Sequence, residues 1–140
     1  MSDKTFIDSN ILIYAHDVDA GSKYRQAAEL MESLWENHLG VLSTQVLQEF
    51  YVNVTRKIAS PLPRKTARAI VEIYQSWCVD ITHAELMAAF RIEDATRIGF
   101  WDALIVASAL RAGAHRVLSE DLNPGQKVLG LQIENPFKTR

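Results

Sequence analysis

Short apolar runs alternate along the chain with longer segments of helical periodicity, and this alternation constrains the fold more than any other feature. The apolar runs predict strands at residues 4–7, 41–43, 77–81, 116–119 and 131–133. Helical spacing predicts a helix that begins near residue 10, and further helices at 22–38, 44–57, 64–76, from 82 onward, and 101–112. Strands that alternate with helices favour a parallel sheet covered on both faces. We therefore predict an α/β fold of three layers (α/β/α with a central parallel sheet) in one domain over residues 1–140.

Local signals indicate where several of these helices begin and end. Thr82 and Glu85 have the spacing of a capping box, so a helix is expected to begin after Thr82. Gly40 and Gly113 follow helical segments and are predicted to end them. The segment 101–112 is apolar on nearly all sides, which predicts a helix buried at the centre of the fold.

Composition excludes several classes of protein. The 140 residues include 15 Lys and Arg against 17 Asp and Glu, a net charge of −2, so the chain is not a generally basic nucleic-acid coat. The one cysteine, Cys78, excludes an internal disulfide and a cysteine-rich zinc site. No apolar run approaches the ~18 residues of a membrane span, and the N-terminal residues lack the pattern of a secretory signal. We expect a cytoplasmic protein with no membrane partner.

Acidic residues lie near the carboxyl ends of the predicted strands, where open parallel sheets bind ligands. Asp8 follows the first strand, and Asp121 lies just beyond the fourth. Glu49 lies in the helix after the second strand, and Asp102 lies in the first turn of the apolar helix. Because all four segments can reach one edge of the sheet, we predict a carboxylate cluster there.

Each of these acids also has a purely structural explanation when it is taken alone. Asp8 could cap the helix that follows it, and Asp102 could stabilise a helix dipole. Glu49 could be a solvated helix residue, and Asp121 could belong to the turn at 123–125. Convergence of the four segments on one edge favours a functional cluster over these explanations.

Electrostatic repulsion indicates what such a cluster would bind. Two carboxylates about 6 Å apart repel by roughly 3 kcal/mol at an effective dielectric constant of ~20. Four carboxylates form six pairs, so unrelieved repulsion could match the ~5–15 kcal/mol stability of a domain. The cluster must therefore take up protons or bind cations, and all-oxygen ligands favour Mg²⁺ or Mn²⁺ over zinc. These ions activate water and stabilise charge on phosphate oxygens, which indicates hydrolysis of phosphodiester bonds.

A basic stretch without acids lies between Glu49 and Glu72, and it fits a polyanionic substrate. It contains Arg56, Lys57, Arg64, Lys65 and Arg68. We predict that the first four contact the substrate, because positive charge one helix length from the acids would guide a phosphate backbone toward them. The alternative is a solvated helix–loop surface. Tyr51 and Trp101 could stack on bases, although both also fit packing in a core.

Four motifs carry a resemblance to a known family. They are FIDSNILIYAHD at 6–17, STQVLQEFYVNV at 43–54, FWDALIVASAL at 100–110 and LSEDLNPGQ at 118–126. In this order and at these distances they resemble the PIN-domain nucleases, and most of all the VapC-type toxins of bacterial toxin–antitoxin pairs. The resemblance extends over essentially the whole chain, to IENPF at 133–137.

The resemblance implies a Mg²⁺- or Mn²⁺-dependent endoribonuclease with a three-layer fold. Its acidic, metal-binding and catalytic set would be Asp8, Glu49, Asp102 and Asp121, and its supporting residues would be Ser9, Asn10 and Ser119. Glu120 is also acidic, and we favour Asp121 as the residue that points into the site. The resemblance further implies a homodimer, an RNA substrate and a cognate antitoxin protein that holds the enzyme inactive.

Two other functions compete with the nuclease. A phosphoacceptor signalling domain also gathers acids at strand ends, but it would need a lysine just beyond a late strand, where this chain has Glu120 and Glu134. A non-catalytic interaction module could use the acidic pocket to receive a basic peptide. Labelling by acetyl phosphate would identify the first, and binding without metal-dependent turnover would identify the second.

Overall fold

Six strands form one sheet in the computed structural model, which describes residues 4–122 and 125–138. The strands are β1 (Thr5–Ile7), β2 (Gly40–Ser43), β3 (Cys78–Val79), β4 (Arg116–Leu118), β5 (Lys127–Val128) and β6 (Leu131–Glu134). Their order in the sheet is β3-β2-β1-β4-β6-β5. Every pairing is parallel except that of β5 with β6, which is antiparallel.

Six α-helices connect the strands. They are α1 (Ser9–Tyr14), α2 (Ser22–Glu36), α3 (Thr44–Arg56), α4 (Arg64–Ile73), α5 (His83–Thr96) and α6 (Phe100–Arg111). Short 3-10 segments occupy Val18–Ala20 and Tyr74–Trp77. Thr82 and Glu85 form the predicted capping box at the start of α5, and the bounds of most elements lie within a few residues of those predicted.

The strand order determines how the helices are distributed. The chain moves outward from β1 to β2 and β3, then returns to place β4 on the other side of β1. Right-handed crossovers therefore put the helices before β3 on one face and those after it on the other. The contacts agree, since α1 packs against α2 and α3, and α3 against α4, whereas α5 pairs with α6. The predicted three-layer α/β/α architecture is confirmed.

The core lies on both sides of β1 and β4. Phe6 and Val117, on these two strands, have no exposed surface, and neither does Phe50 on α3. All seven residues from Ala103 to Ala109 of α6 are buried, which confirms the prediction of a central apolar helix. In the part of the chain that the structure describes, no helix has both the length and the apolarity to cross a membrane.

The prediction that Gly40 ends the second helix was wrong. Helix α2 ends at Glu36, and His38 adopts the left-handed conformation (φ 57°) that closes it. The Leu39 N–H donates to the Leu34 carbonyl at 3.0 Å and the His38 N–H to the Trp35 carbonyl at 3.2 Å, which is the Schellman pattern. Gly113 does have the predicted role after α6, with φ 75°.

Gly40 is instead the first residue of β2, and its missing side chain makes room for Trp77. A Cβ atom at position 40 would overlap the indole ring of Trp77, which is 7% exposed. Two further differences concern short elements. The 3-10 segment replaces the predicted end of the fourth helix, and β5 has two residues, too few for a periodic signal.

We expect Gly40→Ala to lower the free energy of unfolding by about 1–3 kcal/mol, because the methyl group must displace a buried ring. Urea denaturation would measure this loss. Gly99→Ala is the matched control, since Gly99 has φ −66° and a Cβ atom there would meet no neighbouring atom within 4 Å. This control should change the stability by less than about 1 kcal/mol. Equal stability of the two variants would contradict the close contact with Trp77.

Candidate active site

The candidate site lies at the carboxyl ends of β1 and β4, where the direction of strand succession reverses. In register, Ile7 of β1 pairs with Leu118 of β4. The N–H of Asp8 continues this ladder by donating to the Leu118 carbonyl at 3.0 Å. Asp8 and Ser119, the next residue of each chain segment, are therefore neighbours at the switch point of an open α/β sheet, where ligands bind in this class of fold.

The hydroxyl of Ser119 joins the two segments. It donates to Oδ2 of Asp8 at 2.7 Å and accepts from the backbone N–H groups of Asp121 and Leu122 at 3.1 and 3.3 Å. Ser119 has no exposed surface. One buried hydroxyl thus orients the Asp8 carboxylate and holds the turn that carries Asp121.

Asn10, in the first turn of α1, connects the same two segments at the surface. Its Nδ2 donates to Oδ2 of Asp121 at 3.1 Å, and its Oδ1 accepts from the backbone N–H of Glu120 at 3.0 Å. The structure therefore brings the predicted supporting residues Asn10 and Ser119 to the acids. Ser9 contributes its backbone N–H, which donates to Oδ1 of Asp8 at 2.7 Å.

Asp8 is 6% exposed, and this burial controls its protonation. Burial raises the pKa of Asp8 from 3.8 to about 6, against the lowering effect of the hydrogen bonds from Ser119 and Ser9. The negative charges of Glu49 and Asp121 contribute to the same rise in the pKa. Asp8 also caps α1, so its structural explanation is correct, but a cap alone would not require a buried carboxylate with acidic neighbours.

Glu49 and Asp102 approach the site from the two helical layers. Glu49 on α3 is close enough to act electrostatically on Asp8. Asp102 lies in the first turn of α6. Burial is the larger cause that raises the pKa of Asp102, and the negative charge of Asp121 is the smaller one. Asp102 and Asp121 also line one cavity of about 180 Å³. The four predicted acids thus form a linked electrostatic group.

Glu120 and Asp121 are consecutive acids with different surroundings. Glu120 forms an ion pair with Lys23 and accepts a hydrogen bond from the Tyr14 hydroxyl at 2.7 Å. Burial would raise the pKa of Glu120, but the hydrogen bonds from Lys23 and Tyr14 and the charge of Lys23 outweigh it and lower the pKa. Asp121 has Asn10 as its side-chain partner and acts on Asp8 and Asp102. This difference agrees with our preference for Asp121.

The donor set fits a hard divalent cation. Among residues 4–122 and 125–138, the ion pairs engage Glu85, Glu120 and Glu134, so no protein cation neutralises the four clustered acids. Carboxylate, amide and hydroxyl oxygens are the ligands that Mg²⁺ and Mn²⁺ prefer. Within the same described residues, no three His, Cys, Asp or Glu side chains converge closely enough to hold an ion as they stand. The carboxylates therefore act on one another electrostatically without forming a closed set of ligands.

The predicted substrate-binding residues are exposed. Arg56 and Lys57 are at the end of α3, and Arg64 and Lys65 are in the first turn of α4. Arg68 lies over the ring of Tyr51, with 5.8 Å from its guanidinium carbon to the ring centroid. Their contact with a substrate stays a prediction.

The sequence allowed Trp101 either to pack in the core or to stack on bases. Its side chain is 64% exposed and does not pack in the core. Its ring contacts Phe100, which in turn contacts Phe90, so a small aromatic surface borders the turn that carries Asp102. Sequence reasoning also missed Lys23 and Tyr14 as partners of Glu120. No local pattern could reveal them, because both contacts join residues about one hundred positions apart.

The raised pKa of Asp8 predicts how stability depends on pH. Folding is favoured by the protonated carboxyl, so without divalent metal this group's contribution is present below pH 4 and is lost as the pH rises through about 6. The difference between 3.8 and about 6 corresponds to about 3 kcal/mol. Asp8→Asn should therefore be up to about 3 kcal/mol more stable than the wild type at pH 7.5 in EDTA, and the gain should vanish near pH 4.

Urea unfolding at several pH values would measure this difference. The exposed residue Asp94 supplies the control, since Asp94→Asn removes the same charge from the surface of α5 and should not reproduce the pH-dependent gain. A gain in Asp8→Asn that does not change with pH would contradict a buried carboxyl with a raised pKa.

Comparisons with known proteins agree with this geometry. The family model for the PIN domain matches residues 5–126. A solved toxin–antitoxin complex from Klebsiella pneumoniae contains a similar chain, at 16% identity and a TM-score of 0.70, covering 96% of this chain and 99% of that one. No curated protein matches the sequence significantly.

Two further solved structures show the same fold. VapBC2 of Rickettsia felis, bound to a fragment of promoter DNA, matches at 20% identity and a TM-score of 0.64, covering 94% of this chain and 97% of that one. VapC20 of Mycobacterium tuberculosis, a toxin that cleaves the sarcin–ricin loop, matches at 16% identity and a TM-score of 0.60, covering 81% and 86%. The family match spans most of the chain and confirms the resemblance of its motifs: the protein belongs to the PIN domain family.

Proposed function

We propose that this protein is an endoribonuclease that depends on Mg²⁺ or Mn²⁺ and acts as the toxin of a toxin–antitoxin pair. The observation that carries the proposal is the group of four acids at the switch point of the sheet, without a neutralising protein cation among the described residues. Membership of the PIN domain family and the similar VapC20 toxin support RNA as the substrate.

Each residue of the group has a task that follows from its surroundings. Asp8, Asp102 and Asp121 would hold the cation, and Glu49 would complete the set. When bound, the cation supplies positive charge that polarises the scissile phosphate and activates water. Ser119 and the backbone N–H of Ser9 fix the Asp8 carboxylate through one bond to each oxygen. Asn10 holds the Asp121 carboxylate by donating to its Oδ2.

The partners follow from the same comparisons. A cognate antitoxin is proposed because the similar chains from Klebsiella pneumoniae and Rickettsia felis occur in complexes of that kind. We further propose a homodimer that acts in the cytoplasm. The exposed basic residues Arg56, Lys57, Arg64 and Lys65 would contact the RNA backbone, because their charge opposes that of the phosphates.

Cleavage of labelled RNA by the purified protein tests the activity. We expect cutting with Mg²⁺ or Mn²⁺ and none with EDTA. Asp8→Asn and Asp102→Asn should each reduce the rate at least about 100-fold, because each removes a charge that the cation needs.

Glu120→Gln is the matched control for the cleavage assay, since it neutralises the acid next to Asp121 but on the side that pairs with Lys23. Its rate should stay within a few-fold of the wild type. Full activity of Asp8→Asn would refute the assignment of the acids. Failure of the folded wild type to cut RNA, with no response to metal, would favour an acidic pocket that receives a basic peptide.

Metal binding can be measured without cleavage. Mg²⁺ or Mn²⁺ should stabilise the folded wild type by about 2–3 kcal/mol at a concentration ~100 times its Kd, because the unfolded chain offers no preformed site. Asp8→Asn and Asp121→Asn should lose most of this gain, and Glu120→Gln should keep it. Thermal unfolding with increasing metal concentration would report the effect, and equal gains in all variants would contradict the proposed ligands.

A further inference from the structure

The cavity beside Asp102 and Asp121 has an interior unlike its acidic edge. Its volume of about 180 Å³ is the space of roughly six water molecules at ~30 Å³ each. Its floor is made of buried apolar side chains: Val106, Leu122, Val128 and Ile133. An apolar floor of this size suits the face of one planar ring system, and the charged and amide side chains that line the rest of the cavity can meet the polar edge of such a ring.

The rim of the cavity supplies hydrogen-bonding groups. Arg97 and Gln126 line it together with the two acids, and both are exposed residues. Among the described residues that line the cavity, Arg97 is the one cation. A guanidinium presents a fork of N–H donors, and an amide offers both a donor and an acceptor. An apolar floor with such a rim matches a nucleobase, which has a flat apolar face and a polar edge.

The backbone of Arg97 fixes where its side chain begins. Arg97 follows the last turn of α5 with φ 64°, the left-handed region, and its N–H donates to the Glu93 carbonyl at 3.1 Å. His38 and Leu129 adopt the same conformation and do not line this cavity, so the position of Arg97 at the cavity, and not its backbone conformation, bears on function.

We propose that this cavity binds the base of a nucleotide adjacent to the scissile phosphate, and that Arg97 makes guanine the preferred base. Guanine presents two neighbouring acceptors, O6 and N7, which match the guanidinium fork, whereas adenine presents one acceptor and one donor on that edge. The inference rests on the ribonuclease activity proposed above, and it deepens that proposal by assigning a base preference to the site.

Binding of short RNAs to the Asp8→Asn protein would test the pocket without cleavage. Fluorescence anisotropy would compare labelled oligouridylates that carry one central guanosine, adenosine or 7-deazaguanosine. We expect about tenfold tighter binding of the guanosine RNA than of the adenosine RNA, within the range of a good bidentate contact. The 7-deazaguanosine RNA, which lacks the N7 acceptor, should lose most of that advantage.

Arg97→Asn in the same background should reduce the preference for guanosine to less than about twofold and abolish the effect of the N7 substitution. Because asparagine accepts the left-handed conformation more readily than arginine, the melting temperature should not fall. Arg91→Asn removes an equal charge from the exposed surface of α5, outside the cavity, and should keep the full preference. Arg97→Lys keeps the charge without the fork and should lose most of the preference.

Three results of the binding experiments would overturn the pocket. The first is that the Asp8→Asn protein with Arg97 intact binds the guanosine and adenosine RNAs equally well. The second is that the preference for guanosine persists when Arg97→Asn is added. The third is equal weakening of all RNAs by Arg97→Asn, which would indicate a phosphate contact instead. Cleavage by the wild type without any base preference would refute this inference alone, whereas absence of both RNA binding and cleavage would refute the ribonuclease as well.

Discussion

The rest of the site depends on the burial of the Asp8 carboxylate and on the hydrogen bonds that hold it. A charge in this position is costly, and burial together with the charges of Glu49 and Asp121 raises its pKa to about 6. The hydroxyl of Ser119 and the N–H of Ser9 offset part of this cost. Ser119 can do so because β1 and β4 are paired in register, which places Ser119 beside Asp8.

The same constraint explains the asymmetry of the two consecutive acids. Glu120 is engaged by Lys23 and Tyr14 on the side of α1 and α2, which relieves its charge. Asp121 is held by Asn10, and no cation among the described residues forms an ion pair with it. Asp121 is exposed and accepts a hydrogen bond from Asn10, so its carboxylate is accessible to a ligand, whereas that of Glu120 is engaged.

The layers of the fold were predictable from sequence because they depend on periodicity. The apolar segment around Ala103 to Ala109 has no polar face, so only a central position could bury it. Elements whose identity depends on neighbours were not predictable. Strand β5 has only two residues and exists because it pairs antiparallel with the edge of β6. Gly40 is required because the ring of Trp77, far away in the sequence, packs against it, and not because it ends the preceding helix. His38, and not a glycine, closes that helix in the left-handed conformation.

The sequence by itself determined the alternation of strands and helices, the four acids and their family, because these depend on local order and on motif spacing. Tertiary structure decided which side chains are buried, exposed or paired through contacts between distant parts of the sequence. It gave Glu120 the partner Lys23 and Asp121 the partner Asn10, left Trp101 exposed, and placed Arg97 on the cavity that Asp102 and Asp121 line. The physical reason is that burial and pairing of a side chain depend on residues far away along the chain, which the spacing of motifs does not encode.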